Sequence, residues 1–333
     1  MGIPPRPRRT WRAPAAGLSL LAAACGPGTG EGSRALWELE RLAFVPAGPA
    51  TIPGFVETHA DCSLERAIVI DLFEFSRLDG AVYGFERAAG EFRTDAATPG
   101  EEKRNWPLFL SLPEAQDLAA RRGMRLPTAR EWLHVATGDG TQAYPFHATS
   151  FQQGIANTLE LDVGTPTPIG TFERGKSLPF GCYDLLGNVW EWVVDLVPGY
   201  EDLHFHAPEV DPQSGEALEC SVLGGGFDSV ERRTFGPALE AKGPRLRVHA
   251  RRQPRGTLSP AVGARMCADA EAYLWAKAGE WGSGAEARRR IRTTGGRWAR
   301  TAGREVVGTF LDALAGRPGA PAALRWLAEG ARE

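Results

Sequence analysis

The strongest constraint on this chain is a short central segment, residues 181–192, which reads Gly-Cys-Tyr-Asp-Leu-Leu-Gly-Asn-Val-Trp-Glu-Trp. Its apolar residues favour a core, whereas Asp184, Asn188 and Glu191 need hydrogen bonds or a counter-charge. Glu191 stands between two tryptophans, so we expect it to be buried. A buried carboxylate is costly unless it is paired, protonated or bound to a metal.

Two interpretations of this segment are open. The side chains of Asp184 and Glu191, with backbone oxygens of Gly187 and Val189, make an all-oxygen set suited to a hard cation such as Ca²⁺. The alternative is a turn at the aspartate and a glutamate that is salt-bridged to an arginine. Spacing alone favours the alternative.

Five segments, in order along the chain, resemble the signature segments of the formylglycine-generating enzyme (sulfatase-modifying factor) family. They are Arg-Leu-Pro-Thr-Ala-Arg-Glu-Trp at 125–132, Thr-Pro-Ile-Gly at 167–170, the central segment at 183–192, Val-Leu-Gly-Gly-Gly-Phe at 222–227 and Val-Gly-Ala-Arg-Met at 262–266. The resemblance runs from about Leu42 to Ala268 and implies a domain at 42–269. It implies an α+β fold of the irregular, C-type-lectin-like kind.

The resemblance also implies two structural calcium sites. The first uses the side chains of Asp184 and Glu191 with the carbonyls of Gly187 and Val189. The second is formed by three residues upstream, which are the Asn157 side chain, the Thr158 carbonyl and Asp162.

Activity in this family depends on two cysteines that follow the glycine-glycine-serine strand and bind Cu(I). Counted from Gly224, the matching positions hold Ser229 and Thr234. Because hydroxyls are hard ligands, we expect no copper and no copper-cysteine oxidase activity. The sequence therefore predicts a binding or scaffolding module. Its ligand, a peptide, protein or glycan, is expected in a cleft near Trp190, Ser229 and Thr234.

The alternative function is a metal-dependent oxidoreductase of the same family with unrecognised chemistry. A loop at 195–220 carries His204 and His206 beside several carboxylates, a combination that can bind a transition metal. A solvated loop with incidental histidines is the favoured interpretation. The family's ergothioneine-forming branch uses iron held by histidines of an added helical domain, and no such domain is recognised here.

The N-terminus has the pattern of an export signal. Residues 1–24 combine a basic start with a short apolar stretch of small residues, and Cys25 follows directly. This arrangement resembles a bacterial lipoprotein cleavage site, so we expect a lipid on Cys25 and a location in the cell envelope. The lipidated cysteine and tether are assigned to 25–41, with the flexible part at 26–34 and a short helix at 35–41. An ordinary signal peptide is the alternative, and Arg8 with Arg9 also permits a twin-arginine signal.

Four cysteines remain after Cys25, and an oxidising compartment predicts at least one disulfide among them, in one of three full pairings. They are Cys62, Cys182, Cys220 and Cys267.

Capping boxes predict two helices, one after Ser111 and one after Thr128. The polar stretch 78–104 is expected to be a surface excursion. Residues 270–333 carry an apolar stripe and many arginines, which predicts a basic, helical C-terminal extension packed on the domain. A docking role on an anionic membrane or a partner is the alternative for it. A net charge of −3 argues against a nucleic-acid binder.

Overall fold

The computed structural model describes residues 31–53, 59–85, 103–138, 144–146, 154–195, 219–229 and 250–333. The helices in these ranges are α1 Glu31–Glu40, α2 Arg77–Val82, α3 Leu112–Arg121, α4 Ala129–Thr137, α5 Ala270–Lys277, α6 Ala285–Ala302, α7 Arg304–Ala315 and α8 Ala322–Arg332. The strands are β1 Leu42–Val45, β2 Thr51–Pro53, β3 His59–Asp61, β4 Ile68–Asp71, β5 Trp190–Trp192, β6 Glu219–Leu223, β7 Ala250–Pro254, β8 Val262–Gly263 and β9 Cys267–Asp269. The predicted α+β class is confirmed.

Short strands pair over long sequence distances. One sheet has the order β1-β4-β9, with both pairs antiparallel, and a second has the order β7-β6-β5-β8. In the second sheet β5 pairs antiparallel with β6 and parallel with β8, so Trp190 lies beside Val262. A small two-stranded sheet joins β2 and β3. The central segment 181–192 therefore ends as an inner strand, which explains why both of its tryptophans are buried.

The two predicted capping boxes are present at the starts of α3 and α4. The region 78–104 differs from its prediction at its first residues. There the chain forms α2, which begins with a third capping box between Ser76 and Asp79. Asp79 also receives hydrogen bonds from the buried Arg41. This long-range ion pair holds a polar helix against the domain, although its composition resembles that of an exposed loop.

The C-terminal extension is helical, as predicted, and it is part of the main core. Trp298 on α6 is fully buried, donates its indole N–H to the Leu42 carbonyl at 2.7 Å and stacks on Phe44 of β1 at 5.7 Å. The helix α1 joins the same core, because Leu36 and Leu39 are buried in it. The short helix predicted at 35–41 is therefore present but begins earlier, at Glu31, so it takes up the last residues of the predicted flexible tether.

The predicted disulfide is absent from the four cysteines downstream of Cys25. Cys62, Cys182, Cys220 and Cys267 are all buried thiols that form no disulfide bond. Burial raises the pKa of the Cys182 thiol to about 11, so this group stays protonated at neutral pH.

Among the helices in the described ranges, none combines the length and the apolar character that crossing a bilayer requires.

We predict that Trp298→Ala destabilises the whole domain. The change removes a fully buried indole and its hydrogen bond, so the free energy of unfolding should fall by about 3–5 kcal/mol. The exposed Val306 on α7 gives a matched control, for which Val306→Ala should change it by less than about 0.5 kcal/mol. Chemical denaturation followed by tryptophan fluorescence measures both. A separate early transition for the extension, with the domain unchanged, would contradict the shared core.

Candidate functional site

A buried ion pair occupies the middle of the central segment. The side chains of Glu191 and Arg265 are both fully buried, and the guanidinium donates to the two carboxylate oxygens at 2.6 and 3.0 Å. The indole N–H of Trp132 on α4 donates to the same carboxylate at 2.6 Å. Glu191 is thus salt-bridged to an arginine, as the alternative interpretation of the sequence has it.

Arg265 comes from the segment 262–266, between β8 and β9. Besides Glu191 it donates to the carbonyl of Asp71 at 2.8 Å and to that of Tyr183 at 2.6 Å. One guanidinium therefore joins the end of β4, the start of the central segment and β5. The sequence predicted that Glu191 needs a cation, but Arg265 was not assigned to it, because the two residues are far apart in sequence.

A further buried carboxylate, Glu74, was not predicted as a site residue. Its oxygens accept from the Val189 backbone N–H at 3.0 Å and from the Asn188 side chain. Burial, together with the charges of Asp184 and Glu191, raises the pKa of Glu74 well above its usual value. The sequence carries a signal for its burial, because residues 66–75 alternate as in a strand and Glu74 shares one face with the apolar Ile70 and Leu72.

Asp184 lies close to these carboxylates. It accepts the Gly170 backbone N–H at 2.7 Å, and its backbone adopts a positive φ of 58°. Burial raises the pKa of Asp184 to about 6. The carboxyl groups of Glu74, Asp184 and Glu191 form an acidic cluster, in which only Glu191 is hydrogen-bonded to the guanidinium of Arg265. The raised pKa of Glu74 favours its neutral form, so the cluster carries less negative charge than three ionised carboxylates would.

A polar network links the acidic cluster to the second predicted calcium site. The Asn188 side-chain oxygen accepts from the Asn157 amide at 3.1 Å and from the Thr167 backbone N–H at 2.8 Å. The Asn157 side-chain oxygen is buried and has no hydrogen-bond partner among the described residues. A buried oxygen without a partner is costly, so a cation at this position would satisfy it.

The two predicted calcium sites differ in how many of their oxygen ligands are free to bind an ion. At the first, both Glu191 oxygens are already bound by Arg265 and Trp132, which leaves Asp184 as the acidic ligand. At the second, a short 3₁₀ turn at Leu159–Leu161 carries the chain from Thr158 to Asp162, which has a positive φ of 60°. Within the described ranges, no three His, Cys, Asp or Glu side chains converge to hold a metal by themselves. Amide and backbone oxygens would have to complete either shell.

The predicted cleft residues Trp190 and Ser229 are brought together at the turn after β6. The Ser229 hydroxyl accepts the Gly226 backbone N–H at 2.8 Å, and the Trp190 indole N–H faces Asp228 at 3.4 Å. A Cβ at Gly226 would lie 3.0 Å from the Trp190 ring, so glycine permits the close approach. The guanidinium of Arg251 on β7 lies 4.2 Å from the centre of that ring, in a cation–π contact.

Ser229 is buried, and its oxygen is engaged in the turn. A serine hydroxyl stays protonated at neutral pH and cannot replace a thiolate. Ser229 therefore stabilises the turn but cannot bind a soft metal such as Cu(I). Four other predicted site residues lie outside the described residues, namely Thr234, His204, His206 and Cys25.

The sequence is similar to a known protein family and to several of its members. The family described as "Sulfatase-modifying factor enzyme 1-like domain" matches residues 86–270. The inactive C-alpha-formylglycine-generating enzyme 2 of Mus musculus is 30% identical over 154 residues, which make up 41% of this chain and 49% of that protein. The formylglycine-generating enzyme of Thermomonospora curvata is 30% identical over 144 residues, or 38% of this chain and 45% of that enzyme.

Hercynine oxygenase of Mycolicibacterium smegmatis is 34% identical over 98 residues, covering 28% of this chain and 22% of that enzyme. The chain spans less than half the length of each of these curated relatives. Among solved structures, PvdO from Pseudomonas aeruginosa is similar with a TM-score of 0.48 and 18% identity, over 68% of this chain and 93% of that one.

The predicted family and fold class are confirmed. The family match covers more than half of the chain and contains the central segment, the buried ion pair and the turn at Ser229. The chain therefore belongs to the family of sulfatase-modifying factor enzyme 1-like domains.

Proposed function

We propose that this protein is an exported, lipid-anchored member of its family that binds or scaffolds a ligand and lacks copper-cysteine oxidase activity. The proposal rests on Ser229, which the family resemblance aligns with a copper-binding cysteine and whose hydroxyl accepts the Gly226 N–H at 2.8 Å. A relative named as inactive matches the chain at 30% identity, which agrees with this assignment.

The ligand of this module is proposed to bind beside Trp190, where Asp228 is exposed and Arg251 is partly exposed. Arg251 on the indole face and Asp228 at its N–H edge place one charge of each sign beside Trp190. Burial lowers the pKa of Arg251, and the Asp228 carboxylate partly offsets that effect. Such a surface suits a peptide, protein or glycan that offers both donors and acceptors.

The alternative function, a metal-dependent oxidoreductase, is favoured by the relatives named as formylglycine-generating enzyme and hercynine oxygenase. It would need a metal-binding set at His204 and His206, which lie outside the described residues. A redox metal in the purified protein would support it over the binding module.

We predict that the purified protein does not convert the cysteine of a sulfatase-type peptide to formylglycine in the presence of copper and oxygen. The physical reason is the loss of both thiolates, at Ser229 and Thr234. Mass spectrometry of the peptide measures conversion, with an active formylglycine-generating enzyme as the positive control.

A double variant, Ser229→Cys with Thr234→Cys, tests whether these two positions are the matching ones. It should bind Cu(I), while wild type and each single variant should not. Formylglycine production by the wild-type protein would show that the register is wrong.

We also predict a structural calcium ion in this domain. Chelator should lower the melting temperature, since calcium at one hundred times its dissociation constant would add roughly 2.7 kcal/mol of stability. Asp162→Asn should remove the response if the second site binds, and Asp184→Asn if the first does. Glu191→Gln is a poor test, because it leaves Arg265 buried without its main counter-charge.

The control for calcium is Asp117→Asn, which alters an exposed carboxylate on α3 and should leave the chelator response unchanged. Identical melting curves in chelator and in millimolar calcium, with no ion in the purified protein, would exclude both sites.

Finally, we predict cleavage before Cys25 and attachment of lipid to its sulfur. Mass spectrometry of the mature N-terminal peptide measures this directly, and Cys25→Ser should abolish the modification. A mature N-terminus at another residue, without lipid, would contradict the anchor.

A further inference from the structure

One side of α6 carries three arginines and one glycine, spaced four residues apart. Arg288, Arg292, Gly296 and Arg300 follow each other at i, i+4, i+8 and i+12, so they lie along one side of the helix. Glycine costs about 1 kcal/mol inside a helix relative to alanine, so its presence calls for a packing reason.

The packing reason is the close crossing of α8. A Cβ at Gly295 would lie 2.1 Å from the Leu327 carbonyl oxygen, and one at Gly330 would lie 2.0 Å from that of Arg292. At Gly296 a Cβ would be 3.1 Å from the Gly330 carbonyl oxygen. The two helices therefore touch backbone to backbone here, and no side chain stands on the floor between them.

The crossing leaves a groove of about 560 Å³ between the two helices. Its floor is Gly296 and Gly330, its walls carry Arg288, Arg292 and Arg300, and Glu333 also lines it. This volume is within the range of roughly 300–1,000 Å³ that is typical of small-ligand sites.

The arginines of the groove differ in their partners. Arg288 pairs with Glu329 at 2.9 Å, and Arg292 pairs with Glu333, so neighbouring acidic side chains hold both guanidinium groups in place. Arg300 forms no ion pair or hydrogen bond with any residue that the structure describes. Its guanidinium lies over the floor, with one nitrogen 3.4 Å from where a Cβ of Gly296 would be.

A second cation adds to the positive charge near Arg300. Arg297, one turn away from it on α6, donates to the Leu42 carbonyl at 2.8 Å and forms no ion pair within the described ranges. Burial, with a smaller contribution from the charge of Arg300, lowers the pKa of Arg297 to about 10, although the nearby Glu40 acts in the opposite direction. Among the described residues, neither Arg297 nor Arg300 forms an ion pair with a carboxylate.

We propose that the groove between α6 and α8 binds a phosphate group between the guanidinium groups of Arg292 and Arg300. Guanidinium presents paired N–H donors that match two oxygens of a phosphate. The phosphate belongs either to a soluble phosphate compound or to a phospholipid headgroup, since both offer the same chemistry. This site is separate from the cleft at Trp190 and does not depend on its ligand.

Two arms of one experiment separate the two sources. In the first, inorganic phosphate is titrated into the full chain and binding is followed by calorimetry. In the second, the same protein is sedimented with phosphatidylglycerol-containing vesicles and with pure phosphatidylcholine vesicles, and the difference between the two is measured.

Arg300→Gln is the test variant, and it should not disturb folding because Arg300 is exposed and unpaired within the described structure. Arg317→Gln is the matched control, because it removes the same charge from an exposed arginine that pairs with Glu271 outside the groove. We expect Arg300→Gln to weaken binding about tenfold, the effect of one lost charged hydrogen bond, and Arg317→Gln to leave it unchanged.

Phosphate binding that depends on Arg300 supports a soluble ligand. Binding only to phosphatidylglycerol vesicles, again dependent on Arg300, supports a headgroup at a membrane surface. Absence of binding in both arms overturns the proposal, and so does an equal loss in the two variants, which would indicate a diffuse charge effect.

Discussion

The domain depends on one ion pair placed where neither charge can reach water. Arg265 binds Glu191 and at the same time the carbonyls of Asp71 and Tyr183, so it joins the ends of two sheets and the central segment. Breaking such a pair by removing one partner typically costs about 3–5 kcal/mol, because the other charge stays buried. The strands of this fold are short and form few backbone hydrogen bonds with one another. The guanidinium of Arg265 adds further connections between them.

The sequence was sufficient to predict those elements whose formation depends on residues close together in the chain. The capping boxes at Ser111 and Thr128 and the helices of the extension follow from neighbouring residues, and all are present. The burial of Glu191 also followed from its two flanking tryptophans. Its partner did not, because Arg265 reaches it only through the parallel pairing of β5 with β8.

The errors have the same origin. The stretch that contains α2 has the composition of a loop, and its position is fixed by a distant arginine, Arg41. The helix predicted at 35–41 begins earlier, at Glu31, and its apolar face is covered by strands and helices from the other end of the chain. Glu74 is bound by the backbone of Val189, a contact that no pattern within 66–75 could specify.

The pairing of β4 with β9 has a consequence for the order in which the molecule can form. Val69 lies opposite Ala268, so the inner strand of the first sheet lacks one neighbour until nearly the whole domain has been synthesised. The buried guanidinium arrives with the same late segment, since Arg265 directly precedes β9. Contacts between residues so far apart slow folding, because the intervening chain must be closed before the contact contributes. The first sheet and the counter-charge of Glu191 are therefore completed only when the late segment 262–269 has joined the rest of the domain.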